Sequence, residues 1–449
     1  MTDHGGPRED QASGLAWQGS EVLGLSGPSS KRVRLRDVQQ ELDALWQAAG
    51  REAQDRSQGG VVRLREANLM VYIPHDGSAE RVQEAIADTA GRHPARAIVL
   101  LDVGVQSATN EGHPVEESLP GEEGAEVWVT AACRSVQVGD RSLCWEQITI
   151  PARGEVSRYL HAAAVSLLVP ELPIALWWPG QALFSGRTFK RLAEVADLVV
   201  IDSNAVGNGA TFLNNLAGLL RDVNRNYGVD DFNWMRLLPW RTLVAGVFDE
   251  PVRRPWLSQV SRVRISYAQS AYNEGRGSGA CGVVLRSLLM VSWLSTRLGW
   301  QTTDQGWREE KNFATAQLSR RGSRSRSRED GVSDDVEICL SRIDHVGLEG
   351  GGLVEVSLEI AAGSASGETP DSGGDKVVMR LSDTGDVGTA RVWEGDHSVS
   401  VGSVDMSHMT EGRLLSQCLD FLGADTVAEE AALFAAELVS LPGAQALWR

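Results

Sequence analysis

Leu172 to Gly180 reads LPIALWWPG, an apolar run of strand length interrupted by Pro173 and closed by Pro179 and Gly180. Neighbouring side chains on a strand point to opposite faces, so Trp177 and Trp178 cannot both enter one core. The second face needs a cover of its own: a helix, a ligand or another protein.

The surrounding sequence favours a helix. From Asn68 to about Tyr267, apolar runs of strand length (LMVYI, ARAIVLLDV, ALWW, DLVVID) alternate with helical segments such as AERVQEAIADTAG and ATFLNNLAGLLRDVNRNYG. In the latter, Leu213, Leu216, Leu220, Val223 and Tyr227 keep a helical spacing that predicts one helix to Tyr227. Such alternation predicts an α/β domain with a largely parallel sheet covered on both faces. Within it, EVWVTAACRSVQVGDRSLCWEQITI forms two alternating β runs around Gly139 and Asp140, a hairpin attached to that sheet.

Residues 1–32 are rich in Gly, Ser, Pro and charge, without a period, and read as a disordered tail. VRLRDVQQELDALWQAA follows, a docking helix with Asp37 as cap and Val38, Leu42, Leu45, Trp46 and Ala49 on one face. The segment Cys281–Trp300 is apolar nearly all round its helical wheel, which predicts a buried helix closing an α/β domain over 33–319. The Arg/Ser run RRGSRSRSRED then reads as a linker or loop over 320–333. Beyond it, VEICLSRI, LVEVSLEI, KVVMRLS and ARVWE are β-like and two amphipathic helices follow. The region 334–449 is therefore expected to be a smaller α+β domain with its helices on one side of an antiparallel sheet.

The hydrophobic share of 42% and charged share of 23% belong to a chain that folds. With 43 basic and 60 acidic residues, the net charge of −17 repels nucleic acid and anionic membrane surfaces. No basic start with an apolar core marks a secretion signal, and the longest apolar stretch is broken by Pro170, Glu171 and Pro173. Five cysteines without CxxC spacing make neither a disulfide framework nor a zinc site, and a reducing cytoplasm is the expected compartment.

Several constellations invite a chemical reading. Gly277, Gly279 and Gly282 form a GxGxxG before the long helix, a backbone that could cradle a phosphate or dinucleotide. Against this, the strand VSRVRISY ends several residues early, and a helix-entry loop is the competing reading. Asp202 ends the strand ADLVVID, where α/β sheets bind ligands, or it caps the next turn. The histidines are scattered without metal-ligand spacing, no G-x-S-x-G is present, and neither a catalytic group, a metal nor a cofactor is expected.

Cys133 and Cys144 flank the hairpin turn on one face, as a redox pair or as two thiols. Directly opposite they would reach bridging distance, but around a two-residue turn they are diagonal, about 7–8 Å apart. The chain has 14 tryptophans. Besides Trp177 and Trp178, Trp234 and Trp240 occur with Arg236 and Arg241 in DDFNWMRLLPWRTLVAGVFDEP, and tryptophan with arginine is the composition of interface hot spots. Each single tryptophan also fits a core.

Taken in order, VRLRDVQQELDALWQ, NLMVYI, LPIALWWPG, ADLVVIDS, FNWMRLLPWR and WLSTRLGW resemble the OpcA family of glucose-6-phosphate dehydrogenase assembly proteins, over about Val33 to Trp300. The resemblance implies a non-catalytic partner that binds that dehydrogenase and favours its active oligomer, as an allosteric activator at the entry of the pentose phosphate pathway. The six Trp and Arg residues above then become candidates for the interface or its support. In phototrophic relatives the family is associated with thioredoxin-type control, which adds thioredoxin as a candidate partner, although none of the five cysteines matches a regulatory pair. The alternative is a sugar-phosphate or dinucleotide-binding enzyme or sensor using the α/β domain, with Asp202 and the Gly277–Gly282 loop as its site.

Overall fold

Trp177 and Trp178 are both buried in the computed structural model of the chain, at 0% and 5% exposure. The second face is thus covered by the protein itself. The structure describes residues 30–55, 59–63, 65–74, 79–102, 128–138, 141–152, 159–182, 184–268, 279–310, 313–320, 335–343, 352–361, 375–382, 384–407 and 409–448. It divides into two units, Met1–Val200 with Glu411–Leu422, and Ile201–Thr410 with Gly423–Arg449.

The first unit holds, in chain order, β1 (Ser30–Arg34), α1 (Val38–Asp55), β2 (Gly59–Arg63), β3 (Ala67–Ile73), α2 (Ala79–Ala90), β4 (Ala95–Asp102), β5 (Trp128–Val138), β6 (Arg141–Ala152), α3 (Leu160–Ser166), β7 (Ile174–Trp178), α4 (Arg187–Ala193) and β8 (Leu198–Ile201), at whose end the second unit begins. Its sheet runs β1-β5-β6-β4-β3-β7-β8, with β2 also beside β6. Strands β6, β4, β3 and β7 are parallel neighbours, and the hairpin partner β5 lies antiparallel to β6. Every residue of β3 is buried, as a strand covered on both faces requires.

Three contacts hold the strand that carries the two tryptophans. Trp178 stacks on Tyr72 of β3, with ring centroids 4.2 Å apart, and meets Phe189 of α4 edge-on at 5.2 Å. The third is Asn68, fully buried, whose Nδ2 donates to the Val169 carbonyl at 2.9 Å while its Oδ1 accepts from the Val169 N–H at 2.8 Å. That side chain closes the backbone of the proline-broken segment entering β7, which no strand ladder could satisfy.

The second unit continues with α5 (Gly209–Leu220), β9 (Gly228–Asp231), α6 (Phe232–Arg236), α7 (Leu238–Phe248), β10 (Val260–Ala268), α8 (Gly279–Leu298), β11 (Trp300–Glu310), β12 (Phe313–Arg320), β13 (Asp335–Arg342), β14 (Gly352–Ile360), β15 (Lys376–Leu381), β16 (Val387–Glu394) and β17 (His397–Asp405). The next helix, α9 (Glu411–Leu419), belongs to the first unit and packs on α2, and α10 (Thr426–Ser440) completes the second unit. The sheet order is β11-β12-β13-β10-β14-β15-β16-β17, mixed because β10 and β13 are parallel while its other neighbours run antiparallel. Helix α8 packs on β10 and β14 and is flanked by α10 and α5, with Val283, Leu285, Leu288, Met290 and Val291 fully buried. By length and composition α8 could cross a membrane, but 67% of that window is buried inside the protein.

The α/β sheet, its hairpin and the buried long helix follow the sequence pattern, and four details do not. The boundary between units falls near residue 200 and not at 320–333, because β10 pairs with strands on both sides of the Arg/Ser run. That run joins the antiparallel neighbours β12 and β13, and its residues from 321 lie outside those described. The second unit is accordingly no smaller than the first, and its two last helices are divided between the units. Helix α5 stops at Leu220, where Asp222 accepts from the Asn224 N–H at 2.9 Å and turns the chain, leaving Val223 93% exposed. At the N-terminus, Ser30–Arg34 pairs with β5, so the tail assignment fails from Ser30, and residues 1–29 lie outside those described.

Replacing Trp177 by Ala should lower unfolding stability by about 3–5 kcal/mol, the range for truncating a buried large aromatic. Val223→Ala should stay within about 0.5 kcal/mol. Urea denaturation of both variants checks this, and equal effects would contradict the burial assigned here.

Candidate functional site

The end of β8 is where an α/β sheet would hold a ligand, and Asp202 stands there. Its carboxylate is taken bidentately by Arg236 of α6, Nη1 donating to Oδ1 at 2.7 Å and Nη2 to Oδ2 at 3.0 Å. Oδ1 also accepts from the Asn204 N–H at 2.9 Å, the cap anticipated for the following turn. Asp202 thus serves as cap and ion-pair partner together.

Three more side chains close the cluster. Asp231 caps α6, its Oδ1 accepting from Asn233 N–H at 3.0 Å and from Ser203 N–H at 2.9 Å. The fully buried Asn233 donates through Nδ2 to Ser203 Oγ at 2.8 Å and to the Gly282 carbonyl at 3.1 Å. Its Oδ1 accepts from Arg236 and from Arg286 Nε, at 3.2 and 3.1 Å. Arg286 Nη2 lies 3.4 Å from Asn204 Oδ1. Two carboxylates face two guanidiniums, so the formal charges cancel within the protein.

Titration follows from this arrangement. Burial works to raise Asp202, but the charge and hydrogen bonds of Arg236 outweigh it and hold the carboxyl below its ordinary range. For Asp231, burial together with the nearby Asp202 charge pushes the carboxyl up to about 6. Burial, then the like charge of Arg236, brings Arg286 down to about 9.

Gly282 lies at this cluster. A Cβ added there would stand 2.3 Å from Asn204 Oδ1 and 2.6 Å from its Cα, so glycine permits α8 to approach the turn after β8. Gly279 opens α8, and Gly277 lies outside the described residues. Asp202, already bearing negative charge and paired to Arg236, disfavours an anion beside it.

The tryptophan candidates occupy interiors, and Arg236 and Arg241 are partly exposed. Trp177 and Trp178 belong to the core of the first unit, and Trp234 and Trp240, at 1% and 4% exposure, to that of the second. Trp234 Nε1 donates to Asp425 Oδ2 at 2.9 Å, and Asp425 also caps α10. The Arg241 guanidinium lies 3.6 Å from the Trp234 ring centroid. As folded, the four tryptophans are placed to support a contact surface from beneath.

In the hairpin, Cys133 is opposite Glu146 and Cys144 opposite Ser135, which makes the two cysteines diagonal and not directly paired. Cys339 and Cys418 are buried free thiols and Cys281 is a partly exposed one. No group of three or more potential metal ligands occurs among the described residues.

Sequence reasoning missed Asp231, Asn233 and Arg286. A lone arginine within the apolar run CGVVLRSLLMV was the available signal, since a charge that enters a core must bring a partner with it.

Two domain models match the chain in series: the glucose-6-phosphate dehydrogenase subunit N-terminal domain over residues 86–218 and its C-terminal domain over 227–432. A protein named OxPP cycle protein OpcA from Synechocystis sp. is 27% identical over 300 residues, covering 66% of this chain and 53% of that protein. The chain therefore spans about half the length of that relative. A protein of the same name from Nostoc punctiforme is 23% identical over 342 residues, covering 64% of this chain and 70% of its own. Among solved structures, an aldose-aldose oxidoreductase from Caulobacter crescentus aligns over 83% of this chain and 96% of its own, at 10% identity and a TM-score of 0.43, a likeness too distant to bear on chemistry.

Two outcomes test the cluster. Arg236→Ala, which strands a buried carboxylate, should cost about 3–5 kcal/mol in denaturant unfolding. Asp231 has a folded pKa raised above the unfolded value, so its stabilising contribution is full below about pH 4 and is lost as pH rises to about 6. Asp231→Asn keeps an oxygen to cap α6 and cannot ionise. Its melting temperature relative to the parent should therefore climb between pH 4 and 6, and a constant difference would contradict the assignment.

Proposed function

Because the chain belongs to the glucose-6-phosphate dehydrogenase subunit (OpcA) family, we propose that it works without catalysing a reaction, by binding glucose-6-phosphate dehydrogenase and favouring its active oligomer. It does so in the cytoplasm, at the entry of the oxidative pentose phosphate pathway. The observation that carries this reading is the pair of family domains, matched in series over most of the chain. The closed cluster at the end of β8 supports it from another side, since Asp202, Arg236, Asp231 and Arg286 are engaged with one another where a sheet of this kind would otherwise engage a substrate.

Activation of that kind has a physical requirement. The chain must bind the active form of the dehydrogenase more tightly than the inactive one, because equal affinity for both shifts nothing. A coupling of about 1–3 kcal/mol corresponds to a 5- to 150-fold change in apparent affinity for substrate. Buried tryptophans contribute indirectly, by keeping the contact surface in one shape.

The experiment is to titrate the purified chain into its dehydrogenase at subsaturating glucose 6-phosphate while following NADPH formation, with light scattering on the same mixtures. Co-elution at a fixed stoichiometry and a saturable rise in rate of about fivefold or more are expected. Absence of both complex and rate change, or NADPH formation by the chain alone, would refute the proposal.

A further inference from the structure

The first unit contains a cavity of about 690 Å³, bounded by the turn into α1, by Arg65 and β4, and by the segment from Ser166 to Pro170. Its lining includes four arginines, Arg34, Arg36, Arg65 and Arg96, and among the described residues no carboxylate. In a chain of net charge −17, four guanidiniums around one cavity run against the overall balance.

The floor of this cavity is built. Arg96, buried at 5% exposure, donates through Nε to Glu146 Oε2 at 2.7 Å, through Nη1 to the Leu167 carbonyl at 3.0 Å and through Nη2 to Gln39 Oε1 at 3.0 Å. Glu146 is fully buried, and its Oε1 accepts from Trp46 Nε1 at 2.8 Å and lies 3.1 Å from Arg65 Nη2. One carboxylate is thus shared by two guanidiniums, and hydrogen bonds hold both in place. Arg36, with a side chain 67% exposed and its Nε 3.7 Å from Asp37 Oδ1, stands with Arg34 at the rim.

We propose that this cavity is a binding site for a phosphate-bearing small molecule. Its volume lies within the range of small-molecule sites, about 300–1,000 Å³. Guanidinium forks match phosphate oxygens bidentately, and several of them around one space suit a ligand with more than one negative charge. The site is separate from the Gly277–Gly282 loop and from Asp202, and it does not rest on binding to the dehydrogenase.

The test uses the full chain alone in low-salt buffer, with inorganic pyrophosphate, glucose 6-phosphate, glucose and citrate as probes, read by thermal shift and calorimetric titration. Pyrophosphate and glucose 6-phosphate should raise the melting temperature and glucose should not, with affinity falling as sodium chloride is added. The double variant Arg34→Gln/Arg36→Gln, and separately Arg36→Glu at the more exposed position, should melt near the parent without ligand and bind pyrophosphate about tenfold more weakly or worse. No shift with either phosphate compound overturns the proposal, as does undiminished binding by Arg36→Glu. Citrate stabilising the chain as well as pyrophosphate would overturn the phosphate assignment.

Discussion

The bidentate pairing of Arg236 with Asp202 is the interaction on which the second unit depends. A carboxylate removed from water at the end of a strand is costly unless a cation and hydrogen-bond donors meet it, and here α6 brings the cation. Arg236 can reach Asp202 only because Asp231 caps α6 at its start and Asn233 joins that helix to Ser203 and to the Gly282 carbonyl. Gly282 in turn lets α8 come close enough to place Arg286 beside Asn233. One charge balance therefore orders the turn after β8, a short helix and the start of the unit's core helix.

Much of this was legible in the sequence, for definable reasons. The strands β3, β4, β7 and β8 announce themselves as apolar runs, and the adjacent Trp177 and Trp178 require cover on both faces of the sheet. The β5–β6 hairpin follows from alternation around two turn residues. What stayed hidden depends on pairing between distant segments. Nothing local in VSRVRISY shows that β10 lies between β13 and β14, so the composition change at the Arg/Ser run looked like a domain boundary when it only joins adjacent strands. The apolar face of α9 looked like a cover for one side of the C-terminal sheet, whereas it packs on α2, more than 300 residues earlier in the chain. Lone charges in apolar runs were the underused signal: Arg96, Glu146 and Arg286 each found a buried polar partner.

The two units use arginine in different ways. Around Asp202 the guanidiniums are matched by carboxylates and the cluster is closed, as suits a framework. In the first unit four arginines line an open cavity, with Arg65 and Arg96 sharing Glu146 and Arg36 beside Asp37. The chain belongs to a family of dehydrogenase subunits, and the charged groups at the end of β8 are engaged with one another. An arginine-lined cavity would give such a protein a means of responding to a phosphorylated compound.

Hydrogen exchange on the chain, alone and with glucose-6-phosphate dehydrogenase added, tests the central claim most directly. The account expects the amides of Ser203, Asn204, Asn233 and the first turns of α8 to exchange slowly in the free chain and to be unchanged by the dehydrogenase, with new protection confined to exposed segments. Rapid exchange of those amides in the free chain, or no new protection anywhere when the dehydrogenase is present, would contradict it.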